Sequence, residues 1–197
     1  LRKVALDGFT GAGDLVRVTA PAGSESLELH CQGERPHYIA TRVSRAEPVK
    51  WDWDPDLKPL HGPVYDGDVL FHGERFKVLR EVRGVSPDGA QATLAGLRDM
   101  GWPDGGWHTD PAAVDGALQL ATLWARQVLG SAALPMGVGE FRWYRRGPID
   151  GLASAVVRPG AVSSDQAECD VRLSLPDGSP VADLERVRLI ARPARSR

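Results

Sequence analysis

The chain has 197 residues, enough to bury one large core or two small ones. Its 42% hydrophobic and 25% charged residues are the mix of a soluble globular protein; a net charge of −2 without a long basic run argues against a nucleic-acid partner. No apolar run approaches the ~20 residues of a membrane span, and the opening LRKVALDGF has no signal-peptide core.

Residues 1–43 read as short strands, VALDGF, LVRVTA, SLELHC and HYIATRV, separated by turn residues such as GAGD and PAGSES. The chain opens inside this strand-like pattern, as expected of a piece of something longer. Residues 44–68, rich in Pro, Asp and Trp, read as a surface linker with its tryptophans packed down on a neighbour. VLFHGERFKVLREVR, 69–83, has irregular apolar spacing that predicts a short helical turn and then a strand. GAQATLAGL, after the SPDG turn, predicts another strand.

The strongest signal is a helix over 111–129. Asp110 suits its N-cap, Pro111 its first turn and Gly130 its stop. Four further strands follow in EFRWYRR, GLASAVVRP, AECDVRLSLP and VADLERVRLIA, with Asp-Gly in SLPDGSPV marking a hairpin. The two strand blocks look alike: each opens with a strand, passes a Gly-bearing turn and enters a strand ending at Pro. A duplicated unit is the reading this suggests. Cys31 and Cys169 form no CxxC and no metal spacing, and read as free thiols in a reducing compartment.

At 100° per residue, Asp115, Gln119, Thr122 and Arg126 fall on one stripe of the helix. A single polar stripe is ordinarily the wet side of an amphipathic helix. This stripe is narrow, however, and a helix apolar over most of its circumference is wrapped by sheet. Its polar groups then face a cavity or a seam. Asp115 lies about one turn inside the positive helix end, which favours its carboxylate, while burial opposes it. That balance suits a proton donor.

Three motifs carry a family resemblance: LFHGERF at 70–76, DGALQ at 115–119 and LPMGVGEFRWYR at 134–145. Their order, spacing and helix context resemble the dehydratase domains of type I polyketide synthases and polyunsaturated fatty acid synthases, with their YGPxF (or HGPxF), DxxxQ/H and LPxxW or LPxxI elements. The resemblance implies an α+β double hotdog, each half a long helix wrapped by a curved antiparallel sheet. Residues 1–43 would be the last strands of the first hotdog, 44–68 a linker and 69–197 the second hotdog. The first would be incomplete at its N-terminus.

The activity implied is elimination of water from a β-hydroxyacyl thioester. Asp115 would be the acid that protonates the leaving hydroxyl, Gln119 its polar companion and His72 a pocket donor in place of the family's Tyr. Gly73 and Phe76 would shape the wall beside the acyl chain, and Leu134 and Pro135 would close the pocket. No metal or nucleotide cofactor is implied; the substrate would arrive on the phosphopantetheine arm of an acyl carrier protein. Neighbouring synthase domains are the other expected partners, a homodimer is compatible, and the setting is cytoplasmic.

Two departures stand out. Glu74 occupies the family's Pro position, implying a looser or charged turn. The family's catalytic His, in an HxxxGxxxxP element, has no match in these residues, so the base is expected from an upstream half-hotdog; His72 is the best substitute within the chain. A dehydratase-like docking domain without activity, or a hotdog cyclase or isomerase, are the alternatives. GxSxG, HExxH, a P-loop and a post-strand GxGxxG are all missing, which disfavours the chemistries they mark.

Overall fold

Asp110 sets the frame of the molecule by starting its central helix. The computed structural model describes residues 2–6 (backbone only), 17–20, 22–30, 36–43, 48, 50, 51, 53, 55–103 and 105–192. The helix, α1, spans Pro111–Leu129 as expected. Asp110 is extended and accepts from the Ala113 N–H at 2.9 Å, and Pro111 needs no partner for the amide hydrogen it lacks. At the other end Gly130 adopts φ 69°, and its N–H closes on the Arg126 carbonyl.

Among the described residues ten strands form one antiparallel sheet, the last six of them in chain order packing on α1. They are β1 (Arg2–Leu6), β2 (Arg17–Thr19), β3 (Ser26–His30), β4 (Tyr38–Thr41), β5 (Leu79–Ser86), β6 (Gly89–Ala95), β7 (Ala133–Trp143), β8 (Leu152–Val162), β9 (Gln166–Ser174) and β10 (Pro180–Ala191). Their order is β2-β3-β4-β1-β7-β10-β9-β8-β6-β5. Strands β9 and β8 alternate cleanly: Ala167, Cys169, Val171 and Leu173, then Ala153, Ala155 and Val157, are buried against the helix layer while their neighbours face outward. The β9–β10 hairpin is tied by the Leu175 N–H to Ser179 O and the Gly178 N–H to Leu175 O, with Gly178 at φ 83°.

The two strand blocks share one connectivity. In β1–β4 the first strand pairs with the fourth, the fourth with the third and the third with the second; β7–β10 repeat this pattern. The blocks join first strand to first strand, with Val4 opposite Val138 and Ala5 opposite Gly137. The likeness seen in the sequence therefore has a counterpart in topology. The β5–β6 hairpin and α1 belong to the second block; among the described residues no helix packs on β1–β4. Part of VALDGFTGAGDLVRVTA (7–16), Cys31 and the final ARSR fall outside the described residues.

Small residues let the sheet close on the helix. A Cβ at Gly116 would stand 2.8 Å from Val78 Cγ2 and 3.0 Å from Leu94 Cδ2. Gly116→Val is thus expected to cost about 1–3 kcal/mol by overpacking, read as a lower urea midpoint at unchanged m. The segment before β5 has no helix or strand among its described residues up to Gly73. It runs along that edge strand: Val85 N–H donates to Lys58 O at 2.8 Å and Ser86 Oγ to Asp56 O at 3.0 Å. The edge is covered in this way. Trp51 packs against the guanidinium groups of Arg158 and Arg172, 4.5 and 4.8 Å from its ring centre.

Candidate active site

Three walls meet at the N-terminal half of α1. The helix supplies Asp115, Leu118, Gln119 and Thr122 on consecutive turns. The segment ahead of β5 supplies Val69, Leu70, Phe71 and His72, and β7 supplies Leu134, Pro135 and Met136. Tyr38 of β4 reaches the same space from the other strand block. Together they enclose a cavity of about 430 Å³, apolar over most of its lining, as small-molecule sites usually are.

The polar stripe of α1 is therefore not its wet side. Gln119 is 2% exposed and Thr122 4%; Thr122 returns its hydroxyl to Leu118 O at 2.9 Å. Asp115 is half-buried, and Arg126 alone of the four is exposed. Burial pushes the Asp115 carboxyl above its ordinary value, while the Gln119 amide and the nearby His72 pull it back. Gln119 Nε2 donates to Asp115 Oδ2 at 2.6 Å and to the Phe76 carbonyl at 2.7 Å. His72 Nε2 lies 3.7 Å from the same Oδ2.

The segment carrying His72 is fixed locally. Asp66 Oδ1 accepts from the N–H groups of Asp68, Val69 and Leu70, tying the turn. Val69 and Leu70 are then buried, and Phe71 stacks on His72 with centroids 5.6 Å apart and planes at 15°. Arg192 clamps the turn from outside, donating to Asp68 O and Oδ1 at 2.6 and 2.8 Å. The departure at Glu74 is accommodated. Glu74–Phe76 forms a 3-10 turn, closed by Phe76 N–H to Gly73 O at 2.8 Å, and the Glu74 side chain faces solvent beside Lys77.

Of the seven residues singled out from sequence, Asp115, Gln119, His72, Leu134 and Pro135 come together on the cavity. Gly73 and Phe76 do not line it. The 3-10 turn swings the Phe76 ring outward onto Trp102, centroids 5.0 Å apart, and leaves its carbonyl as the inward-facing group. Pro135, without an N–H, sits where the β7–β10 register breaks between Arg188 and Leu189. Sequence reading missed Tyr38, which belongs to a distant strand, and Tyr65, which lies in the expected linker. Tyr65 donates to Gln119 Oε1 at 2.8 Å. A Tyr at an apolar segment's edge, ahead of a motif, was the only signal for it.

Fold and site together define a hotdog-type α+β domain with an acidic group on a mostly apolar pocket. The chain belongs to the polyketide synthase dehydratase family: the family model described as polyketide synthase dehydratase N-terminal domain matches residues 66–196. It is 34% identical over 100 residues to a polyunsaturated fatty acid synthase polypeptide of Thraustochytrium sp. (strain ATCC 26185 / S-3). That match takes in 44% of this chain and only 3% of that protein.

Solved structures agree on the fold. GphF dehydratase 1 superposes with a TM-score of 0.71 at 15% identity, over 98% of this chain and 75% of that one. The dehydratase domain from the CurH module of curacin polyketide synthase gives 0.70 at 13%, over 98% and 77%. A trans-acyltransferase polyketide synthase enoyl-isomerase gives 0.67 at 16%, over 95% and 80%. Among the described residues no helix is long and apolar enough to cross a membrane.

Proposed function

We propose that this domain eliminates water from a β-hydroxyacyl thioester presented on the phosphopantetheine arm of an acyl carrier protein, within a larger synthase. The observation that carries this reading is Asp115, held by Gln119 on the wall of a mostly apolar cavity of about 430 Å³. Asp115 is the acid. A base takes the α-proton, the Cα–H electrons form the Cα=Cβ bond, and the β-hydroxyl leaves as water with the proton from Asp115. The carboxylate then recovers a proton from the base through solvent. The apolar lining takes the acyl chain, with Leu134, Pro135 and Tyr38 along it. In this reading residues 1–43 and 69–197 belong to two hotdogs, joined by 44–68, and the base is the family's histidine from a preceding segment.

A second reading, double-bond migration in an enoyl thioester, is favoured by His72. Its Nε2 is 3.7 Å from Asp115, so two groups able to move protons share one wall. One assay separates the two. The full-length protein is given a β-hydroxyacyl thioester and, separately, a β,γ-enoyl thioester. Elimination is expected with the first substrate. Conversion of the second alone supports migration, and turnover of neither defeats both and leaves a docking domain.

A further inference from the structure

The orientation of Gln119 is completely determined. Phe76 O can only accept, so the amide atom facing it at 2.7 Å is the nitrogen. The opposite end, Oε1, receives the Tyr65 hydroxyl at 2.8 Å. The phenol is itself oriented, because the Leu79 N–H donates to its oxygen at 2.8 Å and leaves its own hydrogen for Gln119. Burial pushes the Tyr65 hydroxyl up to about 12, against the opposing Leu79 bond, so it stays a donor through the neutral range. Every link donates in the same direction, from Leu79 to Tyr65 to Gln119 to Asp115, and such chains polarise one another.

We infer that Tyr65 is a positioning residue: acting through Gln119, it fixes which oxygen of Asp115 is free to serve the substrate. Oδ2 is engaged by Gln119 at 2.6 Å and faces His72, whereas among the described residues no hydrogen bond reaches Oδ1. The transferable proton is carried on Oδ1. Oδ2 accepts from Gln119 in both protonation states, so the carboxyl keeps its orientation before and after the transfer. Tyr65 does not line the cavity. The inference rests on the reading of Asp115 as the acid.

Tyr65→Phe removes the hydroxyl and keeps the ring. It leaves Gln119 Oε1 as a buried acceptor with no partner and loosens the amide. In the full-length protein, kcat for elimination is expected to fall about tenfold with KM changed less than about twofold. The pH–rate limb belonging to Asp115 moves to higher pH, because a weakened donor favours its carboxylate less. Since Tyr65 acts through Gln119, Tyr65→Phe added to Gln119→Ala costs nothing more. If Tyr65→Phe does not fold, 3-fluorotyrosine incorporated at position 65 provides the converse test: a stronger donor moves that limb to lower pH. Multiplying effects in the double variant, or an unmoved limb, overturn the inference while the reading of Asp115 stands. Full turnover by Asp115→Asn defeats the reading, and the inference falls with it.

Discussion

Asp115→Asn is expected to lower the turnover of a β-hydroxyacyl thioester by about 1,000-fold and at the same time to make the protein more stable at neutral pH. The first effect follows from removing the proton donor while keeping the shape; Asn can still accept from Gln119 through its carbonyl. The second follows from the direction of the Asp115 shift. Burial raises its carboxyl above 3.8, with Gln119 and His72 only partly offsetting it, so the folded state holds the proton more tightly than the unfolded chain. A group raised in this way contributes stability when protonated. That contribution is lost as pH rises from the unfolded carboxyl's range through the folded one. At pH 7 this upward shift costs the fold stability relative to an uncharged isostere, and Asn relieves that cost. The melting temperature of the variant should therefore exceed the parent's at pH 7, with the gap closing toward pH 4. Normal turnover would remove Asp115 from the chemistry, and a lower melting temperature at pH 7 would show that its environment favours the charge. A site that carries a stability cost for its chemistry is a common trade.

Asp110→Ala is expected to be the most damaging single change to the fold, at about 3–5 kcal/mol by denaturant titration. Asp110 is fully buried, and its carboxylate gathers three segments. Oδ1 accepts from Ala113 N–H at 2.9 Å and Leu97 N–H at 3.1 Å, while Oδ2 accepts from Ile149 N–H at 3.1 Å and Leu97 N–H at 3.2 Å. Removing it leaves three buried donors without partners. Asp110→Asn should fall between parent and Ala, because its amide nitrogen can replace only one of the two oxygens and points a donor at another donor. Gly96 packs against the same carboxylate: a Cβ there would lie 2.4 Å from Asp110 Oδ2 and 2.4 Å from Ile149 Cγ1. A loss near 1 kcal/mol for Asp110→Ala would reduce it to an ordinary helix cap.

Asp110 also marks how far the sequence could be read. Its role as N-cap was legible, since the signal is local: a short acidic side chain, then Pro, then an apolar run. Its bonds to Leu97 and Ile149, 13 and 39 residues away, have no local signature. The same division holds at the site. Asp115 and Gln119 could be paired because helix geometry alone places residues four apart on one face. Tyr65 could not, because its partner lies 54 residues away and its surroundings look like linker. Phe76 was assigned by its ring, which a motif advertises, whereas the group that faces Gln119 is its carbonyl, which every residue carries. The strands were legible from alternation in β8 and β9. That the two blocks share one connectivity was visible only as a faint likeness of letters.

The junction of those blocks governs more than continuity of the sheet. Tyr38 reaches the cavity only through two successive ladders: it stands opposite Leu6 on β1, and β1 is held to β7 with Ala5 opposite Gly137. Side chains on a strand change faces with every residue, so a slip of one position in either ladder would turn Tyr38 away and bring a neighbour to the opening. The width of the chamber at that end is thus set by main-chain alignment, like a stop on a slide rule. A one-residue slip of β1 would therefore regauge the chamber by exchanging Tyr38 for a neighbour, with no substitution at any other lining position.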